Sequence, residues 1–371
     1  MRTRGLLGSA WQPPPCYATP STHAGGVADA RKTPSLPSRP RLAIARPGRR
    51  SRLPLVARQT LAGVAAAVLL AGCGGYADTA VPSPDEVAAP SLPEPAAPQT
   101  CGDPTRSYAP DGSVSELRPD AVDQLRNRDR LVVGVSADSY LLGSNNPFTG
   151  QIEGFDIDLA EAVADAIWGD AQGHVQLRVI TAADRIPLLQ SGDLDIVARN
   201  MTINCERWEQ IAFSAEYYRA GQKVLVRKDL AEEGSDTAAE LAGLRVCAPD
   251  GTTSLANILA ESPDVEAVTA ANHTGCLAKL QRGEADAITG DDTVLAGLAA
   301  QDPYAVVPEQ DAFTDEPYGI AVNQDNEDLV RFINAVLEEM RADGTWQDSY
   351  DRWLRPTLGE GTGQPPPVYG R

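Results

Sequence analysis

Only three of the 371 residues are histidine, His23, His174 and His273, and they lie far apart. None of the six cysteines forms a CxxC motif. The spacing of a structural metal site is therefore missing, and neither metal nor cofactor is expected. A basic surplus is absent too. Lys and Arg number 32 against 51 Asp and Glu, a formal charge of −19. No broad cationic surface is left to neutralise phosphates, which excludes nucleic acid as a main partner. No apolar run reaches the roughly 20 residues of a membrane-spanning helix. At 42% hydrophobic the chain still has the means to build a core, and its length allows two domains.

The charge is unevenly spread. Residues 1–72 hold eleven Arg and Lys and one acid, Asp29, which leaves −29 on the remainder. Residues 1–56, rich in Pro, Arg, Ser and Gly, show no helical or strand period and no fold is expected there. Next come Arg49, Arg50, Arg52 and Arg58, then an apolar run from Leu61 to Ala71, then Leu70-Ala71-Gly72-Cys73. That run has the length of a signal h-region, and the last four residues match the lipobox of bacterial lipoproteins. Residues 1–72 read as leader and signal peptide, with Cys73 as the acylated residue. A plain signal peptide with an incidental cysteine is the alternative. Pro, Ala, Ser and Glu dominate the stretch that follows, so residues 73–115 are expected to form a disordered tether.

Beyond Cys16 and Cys73, four cysteines remain in what reads as an exported chain, Cys101, Cys205, Cys247 and Cys276, enough for two disulfides in one of three pairings. From Leu131 the pattern alternates between strand and helix. Leu131–Val135 is a short apolar strand. Phe155–Trp168 sets Phe155, Leu159, Val163, Ala166 and Ile167 on one helical face. Strands at 175–180 and 194–198 flank a short helix stopped by Gly192. The alternation restarts with strands at 224–227, 244–247, 266–268, 285–289 and 305–307. Amphipathic helices follow at 327–342 and 346–354. Two α/β lobes are implied, and such sheets bind ligands beyond the carboxyl ends of their strands.

Eight motifs then occur in order: Gly154-Phe-Asp-Ile-Asp-Leu-Ala160, the segment Arg185–Ile196, Met201-Thr-Ile-Asn-Cys-Glu-Arg207, Phe213-Ser-Ala-Glu-Tyr-Tyr218, Gly251-Thr-Thr253, Gly283-Glu-Ala-Asp-Ala287 leading to Asp291, Tyr318-Gly-Ile-Ala321, and Gly344-Thr-Trp346 with Trp353. Over about residues 120–356 the chain resembles the family 3 extracellular solute-binding proteins, closest to the glutamate- and glutamine-binding lipoproteins of actinobacteria. The resemblance implies a type II periplasmic-binding-protein-like fold of class α/β, with two lobes joined by two hinge crossings. Lobe one would hold residues 116–216 and 315–358, lobe two residues 217–314, and residues 359–371 would be a disordered tail. The crossings are matched to Tyr217–Gly221 and Gln310–Thr314. Pairing Cys101 with Cys205 and Cys247 with Cys276 keeps each disulfide within one lobe.

A free amino acid presents a carboxylate and an ammonium. A carboxylate suits a planar, always-charged guanidinium, and the resemblance gives that role to Arg207, with the hydroxyls of Thr202 and Thr253. The Gly251-Thr252-Thr253 turn leads into a helix whose free N–H groups favour an anion. The resemblance gives the ammonium to Asp291 and to the backbone carbonyl of Asn200, and places Ser136 at a variable contact position. Arg185 matches a position that pairs with a distal carboxylate in some members, although binders of neutral glutamine carry Arg there as well. Strand alternation points Arg199 away from the ligand. Other uses stay open. Arg207 could be a surface ion-pair former, Asp291 or Asp292 a helix cap, and Thr202 and Thr253 turn residues. Tyr140, Phe148 and Trp208 could wall the ligand or belong to the core, and His174 and His273 read as loop residues without a chemical role.

The expected function is that of a monomeric, membrane-anchored capture protein on the outer face of the cytoplasmic membrane. It would take glutamate, aspartate, glutamine or asparagine by lobe closure and hand it to an ABC-transporter permease. A sensory lipoprotein signalling to a membrane receptor, or a dehydratase-type enzyme on the same scaffold, are the alternatives.

Overall fold

The computed structural model describes residues 101–234 and 237–371. The leader, the lipobox with Cys73 and residues 74–100 of the expected tether lie outside the described residues. No described helix is long and apolar enough to cross a membrane.

Leu131–Val135 is apolar along its whole length because helices cover both faces of its sheet. It pairs in parallel with Val175–Val179 on one side and Ile196–Val197 on the other. Ala321–Asn323 then joins antiparallel to Ile196–Val197 and to Ile211–Phe213, completing a five-stranded sheet. The helix Phe155–Trp168 buries Phe155, Leu159, Val163 and Ile167 at helical spacing. Its N-cap, Gly154, has φ +147°, and a Cβ there would lie 2.4 Å from the Leu142 backbone, so only glycine fits. The Phe155 ring packs 5.7 Å from Trp346, whose indole N–H donates to the Tyr217 carbonyl at 2.9 Å. This helix is thereby fixed to the chain just before the lobe crossing.

In the second sheet Glu266–Ala270, Arg245–Pro249 and Ala287–Asp291 run parallel. The long strand Tyr218–Arg227 lies antiparallel to Ala287–Asp291 and carries Ala305–Val306 and Thr314–Tyr318 on its other side. Tyr218–Arg227 and Thr314–Tyr318 are the two crossings, paired from Thr314 against Gln222 to Tyr318 against Tyr218. The first overlaps the expected segment Tyr217–Gly221 at its start and runs on to Arg227. The second begins where the expected one ends, since Gln310 is held in lobe two by bonds to both backbone groups of Val224.

Both disulfides join the expected partners, Cys101 with Cys205 and Cys247 with Cys276. The expected disorder at both ends of the folded region is corrected. Residues 101–115 and 359–371 are ordered against lobe one, where Arg106–Ser107 pairs in parallel with Val368–Tyr369. Ser107 is fully buried and donates to the Phe213 carbonyl at 2.8 Å, and the Arg371 guanidinium sits 3.8 Å from the centroid of the Trp208 ring. Backbone pairing, a disulfide and a cation–π contact order these segments with little apolar area, which is why their composition reads as disordered.

Candidate functional site

The site lies where the two lobes meet beside the crossing strands. Arg207 sits on the one-turn helix Cys205–Trp208. Asn204 caps that helix by accepting the Arg207 backbone N–H at 2.9 Å, and Cys205 ties it to Cys101. The buried guanidinium donates to the Thr202 carbonyl at 2.6 Å. Burial lowers its pKa, and Glu316 and Asp291 oppose that shift.

From the other lobe comes the Gly251-Thr252-Thr253 turn. Gly251 has φ +72°, and a Cβ there would lie 2.9 Å from Ala183 Cα across the cleft. Thr252 caps the helix Thr253–Glu261, accepting from the Leu255 N–H at 3.2 Å. The cap falls to Thr252, and the Thr253 hydroxyl lies 3.3 Å from that of Thr202. Asp291 ends its strand at the N-cap position of the helix Asp292–Gln301, yet makes no side-chain cap bond. It accepts instead from the Tyr318 hydroxyl at 2.6 Å, and its Oδ1 is buried without a partner. Burial, then the nearby Glu316 charge, push its pKa up to about 7. A cation between the lobes would relieve both.

Thr202, Arg207, Asn200, Thr253, Asp291 and Arg185 all line one cavity of about 20 Å³. That is room for about one water, so an amino acid is admitted only when the lobes part. The contacts to be broken include Arg185 Nη2 to the Gly251 carbonyl at 3.2 Å and the Thr274 hydroxyl to the Asp138 carbonyl at 3.1 Å.

Several expectations change. The Ser136 hydroxyl is turned into its own loop, donating to Asp138 and accepting from Ser139, and it is Ser139 that lines the cavity. Asn200 adopts φ +35° and donates its N–H to Asp156 at 2.8 Å, with its own Oδ1 buried and unpartnered. This kink breaks the strand alternation, so Arg199 lines the cavity instead of facing away. Arg185 gives Nε to the Ala182 carbonyl, Nη1 to the Arg199 carbonyl and Nη2 to the Gly251 carbonyl. It therefore joins the lobes as well as lining the site. His273 is no loop residue. It opens the helix His273–Gln281, lines the cavity beside Asp291, and burial followed by Arg199 brings its pKa down to about 4. Tyr140 and Phe148 are exposed, and Trp208 packs on Tyr108 and Phe213 outside the cavity. His174 stacks on Trp168, away from the site.

Sequence reasoning missed Glu316. It is buried on the second crossing strand and accepts hydrogen bonds from Thr202, Thr253, Asn257 and Thr314. Its one signal is an acid two residues before the Tyr318-Gly-Ile-Ala321 motif. No group of His, Cys, Asp and Glu suited to a metal ion occurs among the described residues.

Relatives match this chain along most of their own length. The ABC transporter glutamine-binding protein GlnH of Bacillus subtilis is 36% identical over 241 residues, 65% of this chain and 86% of the relative. The glutamate-binding protein GluB of Corynebacterium glutamicum is 33% identical over 269 residues, 70% and 85% of the two chains. Among solved structures, an ancestral arginine-binding protein bound to glutamine is 34% identical with a TM-score of 0.57, spanning 63% of this chain and 99% of that one. An ancestral amino acid-binding protein described as a precursor of cyclohexadienyl dehydratase is 33% identical with a TM-score of 0.58, spanning 63% and 100%. Residues 131–356 match the bacterial extracellular solute-binding proteins of family 3, and the chain belongs to that family.

Proposed function

We propose that the chain captures a free polar amino acid, glutamine or glutamate, by closing its lobes on both charged ends, and delivers it to an ABC importer. One observation carries the reading. Arg207 and Thr202 from lobe one face Thr253 and Asp291 from lobe two across a single cavity. A guanidinium with two hydroxyls suits a carboxylate, and a buried carboxyl with an unpartnered oxygen suits an ammonium. Because the ligand's carboxylate meets Arg207 and Thr202 of lobe one and Thr253 of lobe two, and its ammonium meets Asp291 of lobe two, the ligand bridges the lobes and favours the closed form by hinge closure. The names of the relatives support glutamine or glutamate as ligand and an ABC transporter as partner. On this reading the ligand leaves chemically unchanged, the chain acts as a monomer, and Cys73 carries a lipid that holds it to the outer face of the membrane.

A thermal-shift screen of the purified chain against the twenty amino acids tests the reading. Ligand at about 100 times its Kd raises stability by roughly 2.7 kcal/mol. Glutamine or glutamate should give the largest shift. No shift with any amino acid, or conversion of the ligand to another compound on incubation, would contradict it.

A further inference from the structure

The cradle assigned above to the ligand's carboxylate already holds a carboxylate of the chain itself. Glu316 Oε2 accepts from the Thr202 hydroxyl at 2.6 Å and from the Thr253 hydroxyl at 2.8 Å. Its Oε1 accepts from Asn257 Nδ2 and from the Thr314 hydroxyl, both at 2.8 Å. Glu316 is 1% exposed. Thr202 belongs to lobe one, Thr253 and Asn257 belong to lobe two, and Glu316 lies on the crossing strand between them. One carboxylate thus ties both lobes together at the base of the cleft.

A hydroxyl has one proton to donate. While Thr202 and Thr253 give theirs to Glu316, neither is left for another anion. We propose that Glu316 is an internal anion that latches the lobes through Thr202 and Thr253 and competes with the incoming ligand's carboxylate for the two hydroxyl protons. The inference rests on the function proposed above. An arriving carboxylate takes the protons by rotation of the two hydroxyls, and Glu316 keeps its bonds to Asn257 and Thr314. Affinity is then set by a difference, the gain at the ligand's carboxylate less the loss at Glu316. The latch also populates a closed form before ligand arrives, and a ligand gains only its preference for one form over another.

Glu316→Gln keeps the shape and removes the competing charge. Calorimetry on the intact chain with L-glutamine and L-glutamate should find the variant binding its preferred ligand about tenfold more tightly. A residue that merely braced the site would lose affinity when changed, so equal or weaker binding by a folded variant overturns the proposal. Small-angle scattering of the ligand-free proteins is the second arm. Glu316→Gln and Thr253→Val should both expand relative to the unmodified chain, and unchanged scattering in both overturns the latch. If the unmodified chain binds no amino acid, the proposed function fails. The scattering comparison needs no ligand and still decides whether Glu316 holds the lobes together.

Discussion

Asp291 has a buried carboxylate oxygen without a partner and a neighbour of like charge, Glu316. Both conditions favour the neutral acid, and its pKa stands at about 7. An unfolded aspartate ionises near 3.9, so between about pH 4 and 7 the folded, ligand-free chain holds a proton that the unfolded chain has lost. Its contribution therefore lowers stability as pH rises through that window. An ammonium beside Asp291 reverses the preference and expels the proton. Titrations near pH 6 in two buffers of different ionisation heat should show release of close to one proton per ligand, fading above about pH 8. No release near pH 6 would argue against an ammonium at Asp291. Asp291→Asn should lose the proton release and weaken binding by about 2–5 kcal/mol, measured in the same titrations.

At this scale the cavity lining was legible where its residues sit inside short ordered motifs. Arg207 and Thr202 share one such segment, Thr253 ends another, and Asp291 follows a third. All four meet at the cavity. Arg199 was misread because the left-handed turn at Asn200 cannot be inferred from strand alternation. Glu316 and His273 were missed because their roles depend on which turn of the opposite lobe they face. Their neighbours in sequence carry no sign of that contact.

At the scale of elements, the longer helices and inner strands were readable from apolar period alone. The helix Glu327–Asp343 is one example, burying Leu329, Val330, Ile333, Val336, Leu337 and Met340 before Gly344 stops it. The pairing of Arg106–Ser107 with Val368–Tyr369 was not readable, because two-residue strands joined across the whole fold have no period. This pairing makes the tail part of lobe one. Deleting residues 359–371 removes the strand pair, the Tyr369 bond to Glu338 and the Arg371 contact with Trp208. It should destabilise the chain by about 1–3 kcal/mol, read as a fall of several degrees in Tm. An unchanged Tm would mean that the tail adds nothing. Replacing Cys247 and Cys276 together by Ser reopens a loop of 29 residues and should cost about 2–4 kcal/mol, read as a lower midpoint of denaturation in urea.

The whole molecule is acidic, yet three buried arginines, Arg185, Arg199 and Arg207, line its cavity. Bulk charge does not describe the field inside the cleft. Salt screens the outer charges beyond roughly 8–10 Å, whereas the buried cations act at contact. The paired crossing strands limit motion to opening and closing, and the cavity of about 20 Å³ requires opening before a ligand can be admitted. All of this turns on one guanidinium. The decisive measurement is a calorimetric titration of Arg207→Ala beside the unmodified chain, with the amino acid that stabilises the unmodified chain most. Binding should weaken by at least about 100-fold while the melting curve keeps its cooperative form. Unchanged affinity in a folded Arg207→Ala protein would contradict the clamp.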